Sequence, residues 1–117
     1  ADYKIIKYLI ENPIQGQSIE YNDNRISLYI GQLGKCAITK EELEVGNMEC
    51  HHIQPRSQGG LDNYNNLVLI TKEVHKLIHS TQTETINKYL KYVPTNKIIL
   101  EKLNKFRTKV GNLEICL

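Results

Sequence analysis

The chain has 117 residues, of which 40% are hydrophobic and 24% charged, and its formal net charge is +2. This size and composition indicate one globular domain with short appendages and exclude a disordered chain. No apolar run approaches the roughly 20 residues of a membrane span, and three cysteines make no disulfide framework, so we expect no membrane partner and a cytoplasmic location.

Apolar residues at helical or alternating spacing, interrupted by proline and glycine, predict five helices and two strands. In chain order we expect a helix over 2–11, a loop over 12–23, a helix over 25–33, an extended run over 36–39, a polar turn over 41–47, a strand over 48–53, a loop over 54–65, a strand over 67–70, and helices over 72–80, 82–92 and 95–111.

Polar residues before several helices can accept a hydrogen bond from a free N–H of the first turn. The expected helix starts are Asn24, Thr71, Thr81 (in a capping box with Glu84) and Thr95. Apolar residues on one side of a helix predict its buried face. These predicted faces are Ile5, Ile6, Leu9 and Ile10, then Ile26, Tyr29, Ile30 and Leu33, and finally Ile98, Ile99, Leu103, Phe106 and Val110.

Positive charge is concentrated near the C-terminal end of the sequence. From Lys88 to Lys109 there are seven basic residues and one acid, Glu101. Such a stretch suits a polyanionic partner such as DNA, although a solvated helix face rich in lysine has the same pattern.

All four histidines lie within one 29-residue window. His75 and His79 are four residues apart on a predicted helix, which places them on one face with Cβ atoms about 5–6 Å apart. That spacing suits two ligands of one metal ion, although paired histidines also occur on plain surface helices. His51 and His52 are adjacent on a predicted strand and therefore point to opposite faces.

This alternation predicts a division of labour between the two adjacent histidines. One can complete a three-histidine metal site with His75 and His79, and three protein ligands with an open position are typical of catalytic sites. The other stays free, and its imidazole is suited to take a proton from water.

Three further residues are candidates on position alone. Asn66 lies where the long loop returns to the second strand, and its amide can bond backbone groups across that loop. Arg56 lies on the loop beside the expected cleft, where a guanidinium can hold a phosphate. Glu49, two residues before His51, is a candidate carboxylate for orienting a histidine ligand.

The spacing of these residues resembles the HNH endonucleases, the ββα-metal family. The residues that carry the resemblance are Glu49-Cys50-His51-His52-Ile53, Pro55-Arg56-Ser57, Gly59-Gly60, Asn66-Leu67, His75 and His79. The resemblance implies an α+β fold, with a ββα-metal hairpin-plus-helix core surrounded by additional helices. It also implies that His52 is the general base, that His51, His75 and His79 are metal ligands, and that Asn66 is the central asparagine.

A second resemblance covers about residues 15–115. Ile19–Ser27, Gly34–Thr39 and Glu73–His79 resemble the C-terminal endonuclease region of group II intron-encoded reverse transcriptase/maturases. This implies a longer native polypeptide, in which upstream domains absent from this chain contact intron RNA. On this basis we divide the chain into an N-terminal helix and linker (1–20), an HNH core (21–80) and a basic helical extension packed on the core (81–117).

The expected cofactor is one divalent metal ion. The maturase resemblance implies magnesium or manganese in the cell, whereas three imidazoles favour transition metals, so zinc or nickel is expected in a purified sample. Many HNH domains also hold a structural zinc with two Cys-x-x-Cys pairs. Here the four positions are Cys36, Thr39, Thr71 and Val74, so we expect no structural zinc and a hairpin held by apolar packing of Ile38, Leu67, Leu69, Val74 and Ile78.

The sequence therefore predicts a DNA endonuclease that leaves 5′-phosphate and 3′-hydroxyl ends, in the second-strand nicking role that the maturase resemblance implies. One alternative is a non-catalytic nucleic-acid-binding module with a vestigial metal site. Another is a structural zinc domain, for which Cys50 is the nearest fourth ligand, although it faces away from His51 on a regular strand.

Overall fold

A computed structural model describes all residues, 1–117, as five helices around a two-stranded antiparallel sheet. The elements in chain order are α1 (Tyr3–Glu11), α2 (Ile19–Gly31), β1 (Glu49–His52), β2 (Leu67–Ile70), α3 (Lys72–His79), α4 (Thr83–Leu90) and α5 (Lys97–Lys109). Two short 3-10 turns, Arg56–Gln58 and Tyr64–Asn66, lie in the loop between the strands. The predicted α+β class is confirmed, and the arrangement is that of a ββα-metal fold.

The hairpin and α3 form a continuous unit. The register pairs His51 with Val68 and His52 with Leu67. α3 follows β2 after one residue, Thr71, whose hydroxyl accepts a hydrogen bond from the Val74 amide, as predicted. Because a cap fixes where a helix starts, this bond sets which residues of α3 face the strands.

The loop between the strands crosses close to its own backbone at Gly60. A Cβ atom at Gly60 would lie 1.8 Å from the carbonyl oxygen of Gln54, so only glycine fits there. Gly59 has a φ of +89°, in the left-handed region that favours glycine. These two glycines therefore turn the loop back toward β2.

Seventeen buried apolar residues form one core between the hairpin and the surrounding helices. Among them are Ile38, Leu67, Leu69, Val74 and Ile78, the residues predicted to hold the hairpin. α2, α3, α5 and the chain end contribute the remaining contacts through residues such as Tyr29, Leu77, Leu103 and Ile115. None of the helices combines the length and apolar character that crossing a membrane requires.

α2 begins six residues before the predicted start. Ser18 is its N-cap and accepts a hydrogen bond from the Tyr21 amide, so Asn24 lies inside the helix rather than before it. The buried face carries Tyr21, Arg25, Leu28 and Tyr29, whereas Ile30 and Leu33 are 49% and 69% exposed. The prediction missed the start of the helix because Tyr21 and Arg25, rather than aliphatic residues, occupy the buried face there.

Four smaller predictions also fail. Gln82, without a side-chain bond, precedes α4 in place of the Thr81 capping box, and Asn96 caps α5 in place of Thr95. Ile98 is 65% exposed and Ile10 is 59% exposed, because the neighbouring residues Ile99 and Leu9 occupy the buried faces of their helices.

The Cys36–Thr39 segment is a turn rather than an extended run. Cys36 accepts a hydrogen bond from the Lys40 amide and donates one to Glu41, so the chain reverses within these residues. The Gln32 side chain ties this turn to β2, because its amide nitrogen donates to Lys35 and Leu69 and its oxygen accepts from the Leu69 amide. A glutamine amide thus links the turn to the strand.

Candidate metal centre

Three histidine rings meet between β1 and α3. His51 points inward from β1, and His75 and His79 lie one helical turn apart on the face of α3 that packs against the strand. The ring centroid of His51 is 5.2 Å from that of His75 and 5.2 Å from that of His79. The centroids of His75 and His79 are 4.7 Å apart. One ligand nitrogen of each residue lies within 4.8 Å of the others, a spacing suited to a single ion.

Burial makes His51 an electron-pair donor rather than a cation. The residue is 2% exposed, and its Nε2 is buried without a hydrogen-bond partner. Burial first, and then the neighbouring histidines, lower the pKa of His51 from 6.5 to about 3. Partial burial and His75 lower the pKa of His79 in the same direction. Neutral imidazoles with one unsatisfied buried nitrogen fit a divalent ion, because a buried polar atom without a partner is costly.

Glu49 contacts one of the three clustered histidines. Its carboxylate bonds Nδ1 of His75, which leaves Nε2 of that ring for the shared centre. A carboxylate on the outer nitrogen of a metal-binding histidine fixes the ring orientation and raises its basicity. The Glu49 carboxylate thus contacts His75, and its role in orienting a metal ligand stays a prediction.

His52 points to the other side of β1, where a polar network surrounds it. Its Nε2 lies 2.8 Å from an Asp62 carboxylate oxygen, and its ring stacks on Tyr21 with centroids 5.7 Å apart. Nδ1 makes no hydrogen bond within the protein. A shared cleft nevertheless reaches both histidines of β1, since His51, His52, Arg56, His75 and His79 all line it.

Asp62 is the site residue that the sequence analysis missed. It lies 10 residues from His52 in an irregular loop, and it looks there like one of several polar turn residues. Hydrogen bonds from Ser18 first, and then from His52 and Arg56, hold the pKa of the Asp62 carboxyl well below its usual range. The carboxylate is therefore ionised at neutral pH.

Arg56 belongs to the same network. Its Nη2 lies 2.9 Å from Asp62 Oδ1 and 2.5 Å from the Gln17 side-chain oxygen, while the side chain remains 49% exposed. The guanidinium is therefore fixed on one side by protein and open to solvent on the other. Asn66, in contrast, is fully engaged, because its amide bonds both backbone groups of Gln54 and the carbonyl of Leu61.

A second, wider cleft adjoins the histidine cluster. It has a volume of about 410 Å³ and is lined by Glu49, Lys72, His75, Lys76, His79 and Tyr89. Because His75 and His79 line both clefts, the three-histidine cluster lies where the two join. Lys72 and Lys76 give this side of the centre two exposed positive charges.

Cys50 lies apart from the cluster. It is not among the residues whose ligand atoms converge, and burial raises the pKa of its thiol to about 11. The geometry thus brings together three candidate ligands and leaves Cys50 on the opposite face of β1.

Comparison with known proteins agrees with this geometry. Searches of the curated proteins and of the solved structures found no match. A protein-family model does match, and its matched range spans both strands, α3 and all four histidines. Residues 35–81 match the model of the HNH endonuclease family, and this segment has the ββα-metal arrangement of a β-hairpin, a helix and a three-histidine cluster.

Proposed function

We propose that this protein is a metal-dependent HNH endonuclease that hydrolyses phosphodiester bonds in DNA. The observation that carries the proposal is the unsatisfied, buried Nε2 of His51 between His75 and His79, with His52, the proposed base, on the opposite face of β1. The match of residues 35–81 to the HNH endonuclease model supports the same activity.

In this proposal His51, His75 and His79 hold one divalent ion, and Glu49 orients His75. A bound ion would supply positive charge that offsets the negative charge growing on the phosphate during the reaction. Three imidazoles suit transition metals such as zinc, nickel and manganese, and the intron context proposed below implies magnesium or manganese in the cell.

His52 acts as the general base. It takes a proton from a water molecule, the water oxygen forms a bond to phosphorus, and the bond from phosphorus to the 3′ oxygen breaks. The 3′ oxygen then takes a proton from solvent, so the products are a 5′-phosphate and a 3′-hydroxyl.

Two residues shape the place where the phosphate lies. Asn66 makes three hydrogen bonds to the backbone of Gln54 and Leu61 and so fixes the start of the loop that follows His52. The solvent-facing side of the Arg56 guanidinium is free to contact a phosphate oxygen, since Asp62 and Gln17 occupy its other side.

The biological setting belongs to the same proposal. The resemblance of Ile19–Ser27, Gly34–Thr39 and Glu73–His79 to group II intron maturases supports a role in nicking the second DNA strand. In that role the 3′-hydroxyl end primes reverse transcription, and intron RNA bound by other domains directs the choice of target.

The test is cleavage of supercoiled plasmid DNA by the chain and by its His52→Ala variant, followed by analysis of the nicked ends. We expect nicking by the wild type with added divalent metal, and ends that DNA ligase reseals without prior treatment. His52→Ala should lose at least about 100-fold in rate, the usual contribution of a positioned base, while it binds metal and DNA as before. Tight DNA and metal binding without nicking would instead favour a non-catalytic binding module.

A further inference from the structure

Asp62 joins the base His52 to the N-terminal end of α2. We propose that Asp62 is a positioning residue for His52: its carboxylate accepts the Nε2–H of the imidazole and so directs the unprotonated Nδ1 toward the substrate. This inference rests on the proposed endonuclease function and adds to it the residue that sets the tautomer of the base.

The hydrogen bond between His52 and Asp62 determines which ring nitrogen carries the hydrogen. His52 Nε2 and Asp62 Oδ1 are 2.8 Å apart, and an ionised carboxylate only accepts hydrogen bonds. Nε2 must therefore carry the hydrogen, which leaves the lone pair of a neutral ring on Nδ1. Since Nδ1 makes no hydrogen bond within the protein, it is the nitrogen that can meet a water molecule.

Three neighbouring residues hold Asp62 in place. Ser18 donates to its Oδ2 at 2.6 Å, Arg56 donates to its Oδ1 at 2.9 Å, and the Asn24 amide donates to its backbone carbonyl at 2.8 Å. Ser18 is the N-cap of α2 and Asn24 lies within that helix, so a regular element anchors an otherwise irregular loop.

Stacking on an aromatic neighbour restrains the ring of His52. The ring of Tyr21, also on α2, stacks on the imidazole with an interplanar angle of 20°. The Arg56 guanidinium in turn lies over the Tyr21 ring, 5.7 Å from its centroid. Stacking restrains the plane of the imidazole, whereas the bond to Asp62 selects which nitrogen carries the hydrogen. Together they hold the base in one orientation and one tautomer before substrate arrives.

The kinetic test uses Asp62→Asn, which keeps the size of the side chain and removes its charge. We expect kcat to fall by about 100-fold, while KM and the metal affinity stay within about threefold of wild type. Asp23→Asn is the matched control, because Asp23 is exposed, lies on the same helix as Ser18 and Asn24, and makes no side-chain hydrogen bond; it should retain the wild-type rate.

A double-mutant cycle separates positioning from a merely structural role. If Asp62 acts through His52, then adding Asp62→Asn to His52→Ala should change the residual rate by less than about threefold. An equal loss in both backgrounds would overturn the proposal, and so would a wild-type kcat in Asp62→Asn. A faster Asp62→Asn enzyme would also overturn it, because the bond from the carboxylate to His52 would then hinder proton transfer rather than support it.

A second measurement does not need turnover. Nitrogen-15 NMR of the imidazoles should show His52 in the Nε2–H tautomer in the wild type and a mixture of tautomers in Asp62→Ala. An unchanged tautomer in that variant would contradict the role of Asp62 even if no DNA is cut. Absence of cleavage by the wild type with every metal, together with the expected NMR change, would instead refute the endonuclease function alone.

Discussion

His51 is the residue whose surroundings are hardest to explain without a metal. A buried imidazole normally donates and accepts hydrogen bonds, yet Nε2 of His51 has no partner and faces two further imidazoles. Phe106 closes the remaining side with its ring centroid 5.9 Å away. In the absence of a cation this arrangement costs stability, because polar atoms are removed from water without replacement bonds.

The first prediction concerns the pH dependence of the metal-free chain. The folded pKa of His51 is about 3, and its ordinary value is 6.5. Between these pH values the unfolded chain binds a proton that the folded chain does not, so acidification favours unfolding. We expect the free energy of unfolding to fall by up to about 1.4 kcal/mol per pH unit from this residue as the pH drops below 6.5.

Urea denaturation in EDTA at pH 7, 6 and 5 measures this slope. The conservative variant His51→Gln is the control, since it removes this titrating group and should make the dependence less steep. His79, whose pKa burial also lowers, still contributes in the variant. Equal free energies of unfolding at pH 7 and pH 5 in the wild type would contradict the assignment of His51 as a buried neutral imidazole.

At the level of secondary-structure elements, α3 depends on residues far along the chain. Its last carbonyls have no partners within the helix, as at every helix C-terminus. Arg107, on α5, donates to the Leu77 and Ser80 carbonyls, and Asn112 donates to that of Ile78. The C-terminal segment therefore caps the helix that presents His75 and His79.

Arg107→Met tests this dependence. Arg107 is 3% exposed, so its loss leaves buried carbonyls unsatisfied, and we expect a destabilisation of about 2–4 kcal/mol. We also expect weaker metal binding, because α3 carries two of the three ligands. Chemical denaturation and calorimetric metal titration measure the two effects.

Lys105→Met is the matched control for that experiment. Lys105 lies on the same helix but is exposed, so this substitution should change stability by less than about 0.5 kcal/mol. Equal stability of the Arg107 and Lys105 variants would show that the cap contributes little to α3.

The same elements show what sequence could and could not predict. The hairpin and α3 were predictable because their signals are local: alternating residues around His51, a cap at Thr71 and a four-residue spacing of histidines. The role of Asp62 was not, because Ser18 and Asp62 are 44 residues apart and meet only in the folded chain. Gln32, which binds Leu69 across 37 residues, was missed for the same reason. The start of α2 was missed for a different reason: its cap at Ser18 is local, but Tyr21 and Arg25 begin its buried face.

Across the whole molecule, the site draws on all three of the segments expected from sequence. Gln17 and Ser18 come from the N-terminal segment and bind Arg56 and Asp62. Arg107 comes from the C-terminal extension. We therefore expect the chain to unfold as one cooperative unit rather than as a core with separate appendages.

The distribution of charge predicts where DNA lies. The sequence drew attention to the basic stretch after Lys88, but the cleft beside His75 and His79 is lined by Lys72 and Lys76. Replacing both with serine should weaken DNA binding and reduce the slope of log affinity against log salt by about 1.8, which is roughly 0.9 per lost phosphate contact.

Fluorescence anisotropy with duplex DNA at several salt concentrations measures that slope. Lys4→Ser with Lys7→Ser provides the control, because these lysines are exposed on α1 and do not line the cleft. If the α1 pair reduced the slope as much as the cleft pair, DNA would not lie along this cleft.

The central claim is that one divalent ion on His51, His75 and His79 drives hydrolysis of DNA. The most direct measurement is plasmid nicking by the chain after its metal is removed with EDTA, followed by titration with Mn²⁺ and parallel titration of His79→Ala. We predict no nicking without metal, activity that saturates as one binding site per chain fills, and at least tenfold weaker metal activation in the variant. Undiminished nicking by the metal-free chain, or identical metal activation of both proteins, would contradict the account.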